Sequence, residues 1–308
     1  MDSLVVLNPD ASGVKKNLTR IRGALADSSV LSAAHVEVHS NWEGGRDVAA
    51  RAAEDGCGLV VAVGGDGTVN AVVNGLMSVE PPRPTLGVLP LGTGNDLARS
   101  LGISDGWEDA LEILGEQNER DMDVFRVELG GRSRYGANVS AGGFSGQVDE
   151  SLTHEDKERW GPLAYLKTAL ENVTRVQSYE AVLTADDGEE RELAVCNIVV
   201  GNGRWAAGGL PVTPRARMDD GLLDVVVLST GPVARLGMVA ARMAAGRHLE
   251  HELVTTFRAR ALDVRSTPDM RFNVDGELLG AGDIRFEVEP KALRVLVGGG
   301  KAARDRAL

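Results

Sequence analysis

Asp66 is the first residue of this chain whose neighbours suggest chemistry. It sits in Gly64-Gly65-Asp66-Gly67, where the apolar run Leu59 to Val63 stops and, after Thr68, Val69 to Met77 carries apolar residues at helical spacing. The pattern predicts a strand, a glycine turn and a helix. Such glycines let backbone N–H groups approach a ligand closely, and the helix start behind them favours negative charge, so phosphate is the matching guest. A carboxylate inside a phosphate cradle would repel its ligand unless a divalent cation stood between them, and Asp66 therefore implies magnesium. By itself the segment also reads as a plain turn. A second signal adds weight to the phosphate reading: Thr85 to Pro90 is another strand, and it runs into Leu91-Gly-Thr-Gly-Asn-Asp-Leu-Ala-Arg99.

The elements that must hold these turns follow from the surrounding pattern. Leu4 to Leu7 reads as a strand entering the polar turn Asn8-Pro-Asp-Ala-Ser-Gly13, with a helix from Val14 to Ala26. Val36 to Ser40 reads as a short strand, Glu43 to Glu54 as a helix, and Trp107 to Leu114 as one more helix. Alternating strands and helices predict a parallel sheet with helices on both faces, whose ligands sit beyond the carboxyl ends of the strands. Asn8 to Gly13, Ser40, Gly64 to Thr68 and Gly92 to Asn95 all fall at such ends.

From Arg120 the pattern changes. Met122 to Val127 and Arg134 to Val139 alternate around Gly130-Gly131, a hairpin signal, so the domain boundary falls near residues 118 to 126. An amphipathic helix is expected over Trp160 to Val176. Strands are expected at Tyr179 to Thr184, Leu193 to Gly201, Leu222 to Leu228, Ala261 to Val264, 271 to 275, 283 to 288 and 293 to 297. The predicted architecture is an α/β nucleotide-binding domain over 1–122 and a mostly antiparallel β-sandwich over 123–297. The last stretch, 290–308, either packs back on the first domain or is partly disordered.

Composition narrows the function. The chain has 308 residues, with 43% hydrophobic, 25% charged and only 4% aromatic residues, so its core must be mainly aliphatic. Its formal net charge of −12 disfavours nonspecific binding to nucleic acid and any general attraction to an anionic bilayer. One basic stretch departs from this: Pro232 to Arg265 holds six arginines against Glu250, Glu252 and Asp263. It reads either as a solvated helix face or as a surface for anionic phospholipid, where each basic side chain contributes on the order of 1 kcal/mol. Cys57 and Cys196 lack metal-ligand spacing and read as buried thiols of a reducing compartment. Met1 to Leu7 reads as a strand and not a signal peptide, and no run approaches the roughly 18 apolar residues of a membrane span. The expected location is the cytoplasm.

The turns follow neither G-x-G-x-x-G nor the GxxxxGK[ST] loop, which disfavours dinucleotide dehydrogenases and P-loop enzymes. The motifs NPDASG, GGDGTVN and PLGTGNDLAR, in this order and spacing, do resemble the catalytic domain of the diacylglycerol kinase family, especially its bacterial soluble lipid kinases, with sphingosine and ceramide kinases as relatives. NAD kinases and phosphofructokinases share a GGDG turn without the PLGTGND companion.

The resemblance implies an ATP-dependent lipid kinase that uses Mg2+ and takes its substrate from the membrane surface. It further implies that Asn8, Pro9, Asp10, Ala11, Ser12, Ser40, Gly65, Asp66, Gly67, Thr68, Val69, Asn70 and Thr93 hold the nucleotide, with Asp66 near the metal and phosphates. Asp96 would face the acceptor side, or simply cap the helix it begins. Asp123 would help organise a hydrogen-bond network to the metal, or be a surface strand residue. In Pro214 to Asp224, the Asp220 carboxylate and the carbonyls of Arg217 and Leu222 would hold a structural magnesium, although plain hairpin logic also explains Asp220-Gly221. In Arg271-Phe-Asn-Val-Asp-Gly-Glu-Leu-Leu279, Asp275-Gly276 is a hairpin signal; the resemblance makes Glu277 the proton acceptor and Asp275 its support. Asp66 is the alternative base. One departure stands out, because the family usually has glutamate where this chain has Ala71. Phosphorylation of a soluble metabolite or NAD, a non-catalytic nucleotide or lipid sensor, and a homodimer all stay open at this point.

Overall fold

The computed structural model describes residues 3–144, 176–186 and 188–298. The chain forms two compact units, one from Met1–Val124 with Pro290–Leu308 and the other from Phe125–Glu289. The expected helix over Trp160 to Val176 lies, for residues 160–175, outside the described residues.

In the first unit, β1 (Ser3–Leu7), β2 (His35–Val38), β3 (Leu59–Gly64) and β4 (Thr85–Pro90) form a parallel sheet in the order β4-β3-β1-β2, as the alternation predicts. All five residues of β1 and all six of β4 are buried, as expected of strands covered on both faces. The edge strand β2 instead leaves Val36 and Val38 exposed. Helix α1 (Ser12–Asp27) buries Val14, Ile21 and Leu25 along one stripe. Helices α2 (Trp42–Glu54) and α3 (Asp66–Met77) cross closely because Gly75 has no side chain: a Cβ there would lie 2.3 Å from the Arg46 carbonyl oxygen. Helix α3 begins at Asp66, two residues before the expected start at Thr68, because Gly65 is the extended cap and β3 feeds the helix directly. Two further helices, α4 (Asp96–Ser100) and α5 (Trp107–Glu116), follow β4.

The chain leaves this unit within β5 (Glu119–Leu129) and returns within β15 (Ile284–Leu296), whose Val295 pairs in parallel with Leu86 of β4. The sequence suggests two strands, 283–288 and 293–297, separated by Pro290-Lys291. One strand forms instead, with Lys291 at φ 52° and its N–H donated to Asp123 Oδ1 at 2.7 Å.

The second unit is antiparallel. Strands β6 (Arg132–Gly136), β7 (Val139–Gly143), β8 (Tyr179–Ala185), β9 (Glu190–Gly201) and β10 (Leu223–Ser229) are followed by α6 (Val233–Ala244). Then come β11 (Val254–Ala259), β12 (Ala261–Thr267), β13 (Arg271–Val274) and β14 (Glu277–Ala281). The long β9 pairs β8 with its first half, β7 with its second half, and β10 along its other edge. Strand β11 is not visible in the sequence pattern, and β14 is visible only as the arm that the Asp275-Gly276 hairpin signal implies. In this aromatic-poor chain three phenylalanines share one core: Phe286 stands 6.4 Å from Phe125 and 5.8 Å, edge-on, from Phe272. Gly136 and Gly142 make room for them, since a Cβ at either would fall 2.3 Å from a phenyl carbon.

Candidate functional site

In the first unit, β1 connects through α1 to β2 on one side, and β3 connects through α3 to β4 on the other. The carboxyl ends of β1 and β3 therefore form the switch point at which parallel sheets bind ligands. Asn8 stands at the end of β1 and ties the two turns together. Its N–H donates to Val63 O at 3.0 Å, its Nδ2 donates to Thr68 Oγ1 at 3.1 Å, and its Oδ1 accepts the Asp10 N–H at 2.9 Å.

The turn after β4 joins the same place. Gly13 N–H donates to Leu91 O at 2.9 Å, and the Ser12 and Thr93 hydroxyls lie 3.5 Å apart. Gly65 and Gly92 touch backbone to backbone, for a Cβ on Gly92 would lie 2.4 Å from Gly65 Cα. Only glycine fits that approach. The structure thus brings Asn8 to Ser12, Gly65 to Asn70 and Thr93 into one cluster of turns. Ser40 lies exposed two residues past β2, and the Leu7↔Val38 register puts it at the same end of the sheet.

Asp66 has a partner that its local sequence does not reveal. Its Oδ1 accepts the N–H of Asp96 at 2.8 Å and of Leu97 at 3.3 Å, so the start of α4 is capped by a residue 30 positions earlier. Asp96 is therefore not the cap of its own helix. The cap position is Asn95, at φ 53°, whose side chain is turned back on Gly92. Asp96 itself is buried, and its Oδ1 accepts Arg99 Nη1 at 3.0 Å. Asp123 is fully buried as well, which removes the surface-strand reading; its carboxylate holds the Lys291 N–H.

Sequence reasoning passed over Trp42 and Asn74. Both donate to Asn70 Oδ1, Trp42 Nε1 at 3.0 Å and Asn74 Nδ2 at 3.2 Å, and so fix the orientation of that amide. The i, i+4 spacing of Asn70 and Asn74 is the one signal that pointed to it. Ala71 is buried against α2, 3.4 Å from where a Gly45 Cβ would stand. An unpaired carboxylate would be costly there.

In the second unit, Asp275 and Gly276 form the expected two-residue hairpin turn, with φ of 50° and 84°. The Asp275 carboxylate is occupied: Oδ2 accepts Ala137 N–H, and Oδ1 accepts Asn138 N–H and Val139 N–H, each at 2.9 Å. This locks the β13–β14 turn to the β6–β7 connection. Glu277, the first residue of β14, is exposed.

The turn before β10 holds the residues expected to bind a structural metal. Asp220 Oδ1 accepts the Leu222 N–H at 3.2 Å, and its Oδ2 accepts a short hydrogen bond from Arg258 Nη2. Arg258 Nε also reaches Asp224 Oδ2 at 3.3 Å, while Arg217 pairs with Asp219 at 3.4 Å. Burial pushes the Asp224 carboxyl above its ordinary range, against the pull of Arg258. Among the described residues no group of three or more His, Cys, Asp or Glu side chains converges as a metal site. A magnesium ion held by the Asp220 carboxylate and the Arg217 and Leu222 carbonyls would have to share Asp220 with the Arg258 guanidinium.

The basic stretch is also less free than its composition suggests. Arg235, Arg258 and Arg265 sit in ion pairs, with Glu252, with Asp220 and Asp224, and with Glu190. Cys57 and Cys196 are buried free thiols, and burial pushes the Cys196 thiol up to about 12. No helix among the described residues is long and apolar enough to cross a membrane.

Comparison with known proteins matches both halves of the chain to known domains. Residues 2–127 match the family described as diacylglycerol kinase catalytic domain, and residues 137–297 match the YegS C-terminal NAD kinase beta sandwich-like domain. The chain belongs to the diacylglycerol kinase catalytic-domain family. It is 34% identical over 275 residues to a Stenotrophomonas maltophilia protein named "Probable lipid kinase YegS-like", covering 84% of this chain and 86% of that one. It is 32% identical to a Staphylococcus saprophyticus diacylglycerol kinase, covering 75% and 74%. A solved structure described as a diacylglycerol kinase from Bacillus anthracis shares the fold, with a TM-score of 0.74 over 97% of both chains at 21% identity. Relatives named lipid kinase and diacylglycerol kinase mark the chain as a lipid kinase, a phosphotransferase with an alcohol group as acceptor, and the kinase family implies the use of ATP.

Proposed function

We propose that this chain transfers the γ-phosphate of magnesium-bound ATP to the hydroxyl of a diacylglycerol-like or sphingoid lipid taken from the membrane surface. The observation that carries the nucleotide half of this reading is the bond from Asn8 to Thr68 at the switch point, which ties the first two glycine turns together where parallel sheets bind phosphates, with the third turn joined to them through the Gly13 to Leu91 bond. In this reading Asn8 to Ser12, Ser40, Gly65 to Asn70 and Thr93 hold the nucleotide. Magnesium, when bound, offsets the repulsion between Asp66 and the phosphates and withdraws charge from the group transferred.

Glu277 takes the proton of the lipid hydroxyl as that oxygen bonds to the γ-phosphorus and the bond to the bridging oxygen of ADP breaks. Asp275 keeps the Glu277 turn in place by accepting hydrogen bonds from three backbone N–H groups. Asp96 and Asp123 are assigned supporting roles on the acceptor and metal sides. Arg242, Arg247 and Arg260, which make no ion pair among the described residues, are the basic side chains left to meet anionic phospholipid.

The test is transfer of labelled phosphate from ATP to diacylglycerol, sphingosine, ceramide and soluble acceptors, in wild type and Glu277→Gln. A positioned base contributes roughly 10² to 10⁴ in rate. Glu277→Gln is expected to lose about that much turnover and still bind ATP. Near-normal turnover in the variant rejects Glu277 as base, and tight ATP binding without transfer to any acceptor rejects the kinase reading.

A further inference from the structure

Two carboxylates converge beside the turn before β10, and one side chain joins them. Asp220 and Asp224 are 20% and 13% exposed, so both lie largely out of water, where like charges demand a cation. The cation hydrogen-bonded to both is Arg258, with Arg215 and Arg204 acting on Asp224 through space only. Its Nη2 donates to Asp220 Oδ2 and its Nε donates to Asp224 Oδ2. The register of the β10–β11 ladder puts Arg258 directly opposite Asp224, so the guanidinium is delivered by strand pairing and not by a flexible loop. A planar guanidinium presents several N–H groups in a fixed fork and can hold two carboxylates at once; a lysine ammonium is a single point charge. The other oxygen of Asp220 is engaged by the Leu222 N–H, which closes the turn on itself.

We infer that Arg258 takes the place of a structural cation in this chain, its guanidinium clipping the 214–224 turn to strands β10 and β11, so that the turn is held without magnesium. The inference concerns folding, not catalysis, and stands or falls separately from the kinase reading.

Thermal unfolding of the nucleotide-free protein tests it, in EDTA and in millimolar magnesium, for wild type, Arg258→Met, Arg258→Lys, Asp220→Asn and the Arg258→Met/Asp220→Asn double variant. The wild-type Tm is expected to agree in EDTA and magnesium to within about 1 °C, since loss of even ~1 kcal/mol would move it by about 2 to 4 °C. Arg258→Met is expected to melt about 3 °C lower in EDTA, a modest loss because the guanidinium is partly solvated, and to regain part of that in magnesium. The double variant is expected to show no regain, and Arg258→Lys to lie between wild type and Arg258→Met.

A wild-type Tm that rises by more than about 3 °C in magnesium, with the rise abolished by Asp220→Asn, overturns the inference. So does an Arg258→Met variant as stable in EDTA as wild type. A rise that survives Asp220→Asn belongs to an ion elsewhere and leaves the clip supported. Should Arg258→Met fail to fold, wild type against Asp220→Asn and Arg258→Lys still decides.

Discussion

Asp66 Oδ1 accepts the backbone N–H of Asp96 at 2.8 Å, joining two glycine turns through a carboxylate whose local setting predicts a metal partner. One side chain thus serves both the fold of the PLGTGND turn and, in the proposed reaction, the charge of the nucleotide site.

The two duties can be separated by substitution. Asp66→Asn keeps an acceptor oxygen for the Asp96 and Leu97 amides and loses the charge; Asp66→Ala loses both. Removal of a helix-capping acceptor costs about 1 kcal/mol. Asp66→Ala is expected to lower the Tm measurably and Asp66→Asn to do so much less. Both are expected to lose about 100-fold or more in phosphoryl transfer if the charge serves the metal. Equal activity of Asp66→Asn and wild type would confine Asp66 to capping.

Gly92→Ala tests the contact between the second and third turns. The new Cβ would stand 2.4 Å from Gly65 Cα, so the backbones must separate. Overpacking of this kind costs about 1 to 3 kcal/mol. The variant is expected to bind ATP at least about tenfold more weakly, a loss of ~1.4 kcal/mol. Unchanged affinity in a nucleotide titration would show that the turns need not touch.

Asp275 is expected to matter for stability before it matters for catalysis. Asp275→Asn can keep the turn's positive φ but sets an amide donor against backbone N–H groups, at a cost of about 1 to 3 kcal/mol. Asp275→Ala loses all three hydrogen bonds and should cost more. Urea unfolding reads both; a midpoint like wild type for Asp275→Ala would contradict the lock between β13–β14 and β6–β7.

His248 should make the protein acid-sensitive. It is fully buried with Nε2 3.0 Å from Val212 O, and Nδ1 has no hydrogen-bond partner among the described residues, so the neutral ring donates through Nε2. Burial holds its pKa below the ordinary value. The unfolded chain, with a histidine pKa of about 6.5, then binds the proton first. Stability from this group is full above about pH 6.5 and is lost as pH falls through that value toward the depressed folded pKa. His248→Gln, which still donates but does not titrate, should melt with a smaller fall in Tm between about pH 7.5 and about pH 5.5.

The glycine turns were legible because their causes are local. An apolar run, a glycine break and helical spacing sit within about twenty residues of one another, and the same holds for the Asp275-Gly276 hairpin. Strand β11 was not legible. It is an edge strand that leaves Thr255, Thr256 and Arg258 exposed, so it shows no alternation to read. The long β15 was hidden by Pro290 and Lys291, and at that point Asp123, 168 residues away, takes the Lys291 amide.

By itself, then, the sequence determined the strand, turn and helix order, the residues at the strand ends and the family, since these depend on short-range pattern and on motif spacing. The tertiary structure alone decided the partners: Asp66 with Asp96, Asn8 with Thr68, Asp275 with the amides of 137–139, and Arg258 with Asp220 and Asp224. Those pairings join residues from 30 to more than 130 positions apart. Sheet order brings them together, and no local pattern of residue types encodes which distant strands become neighbours.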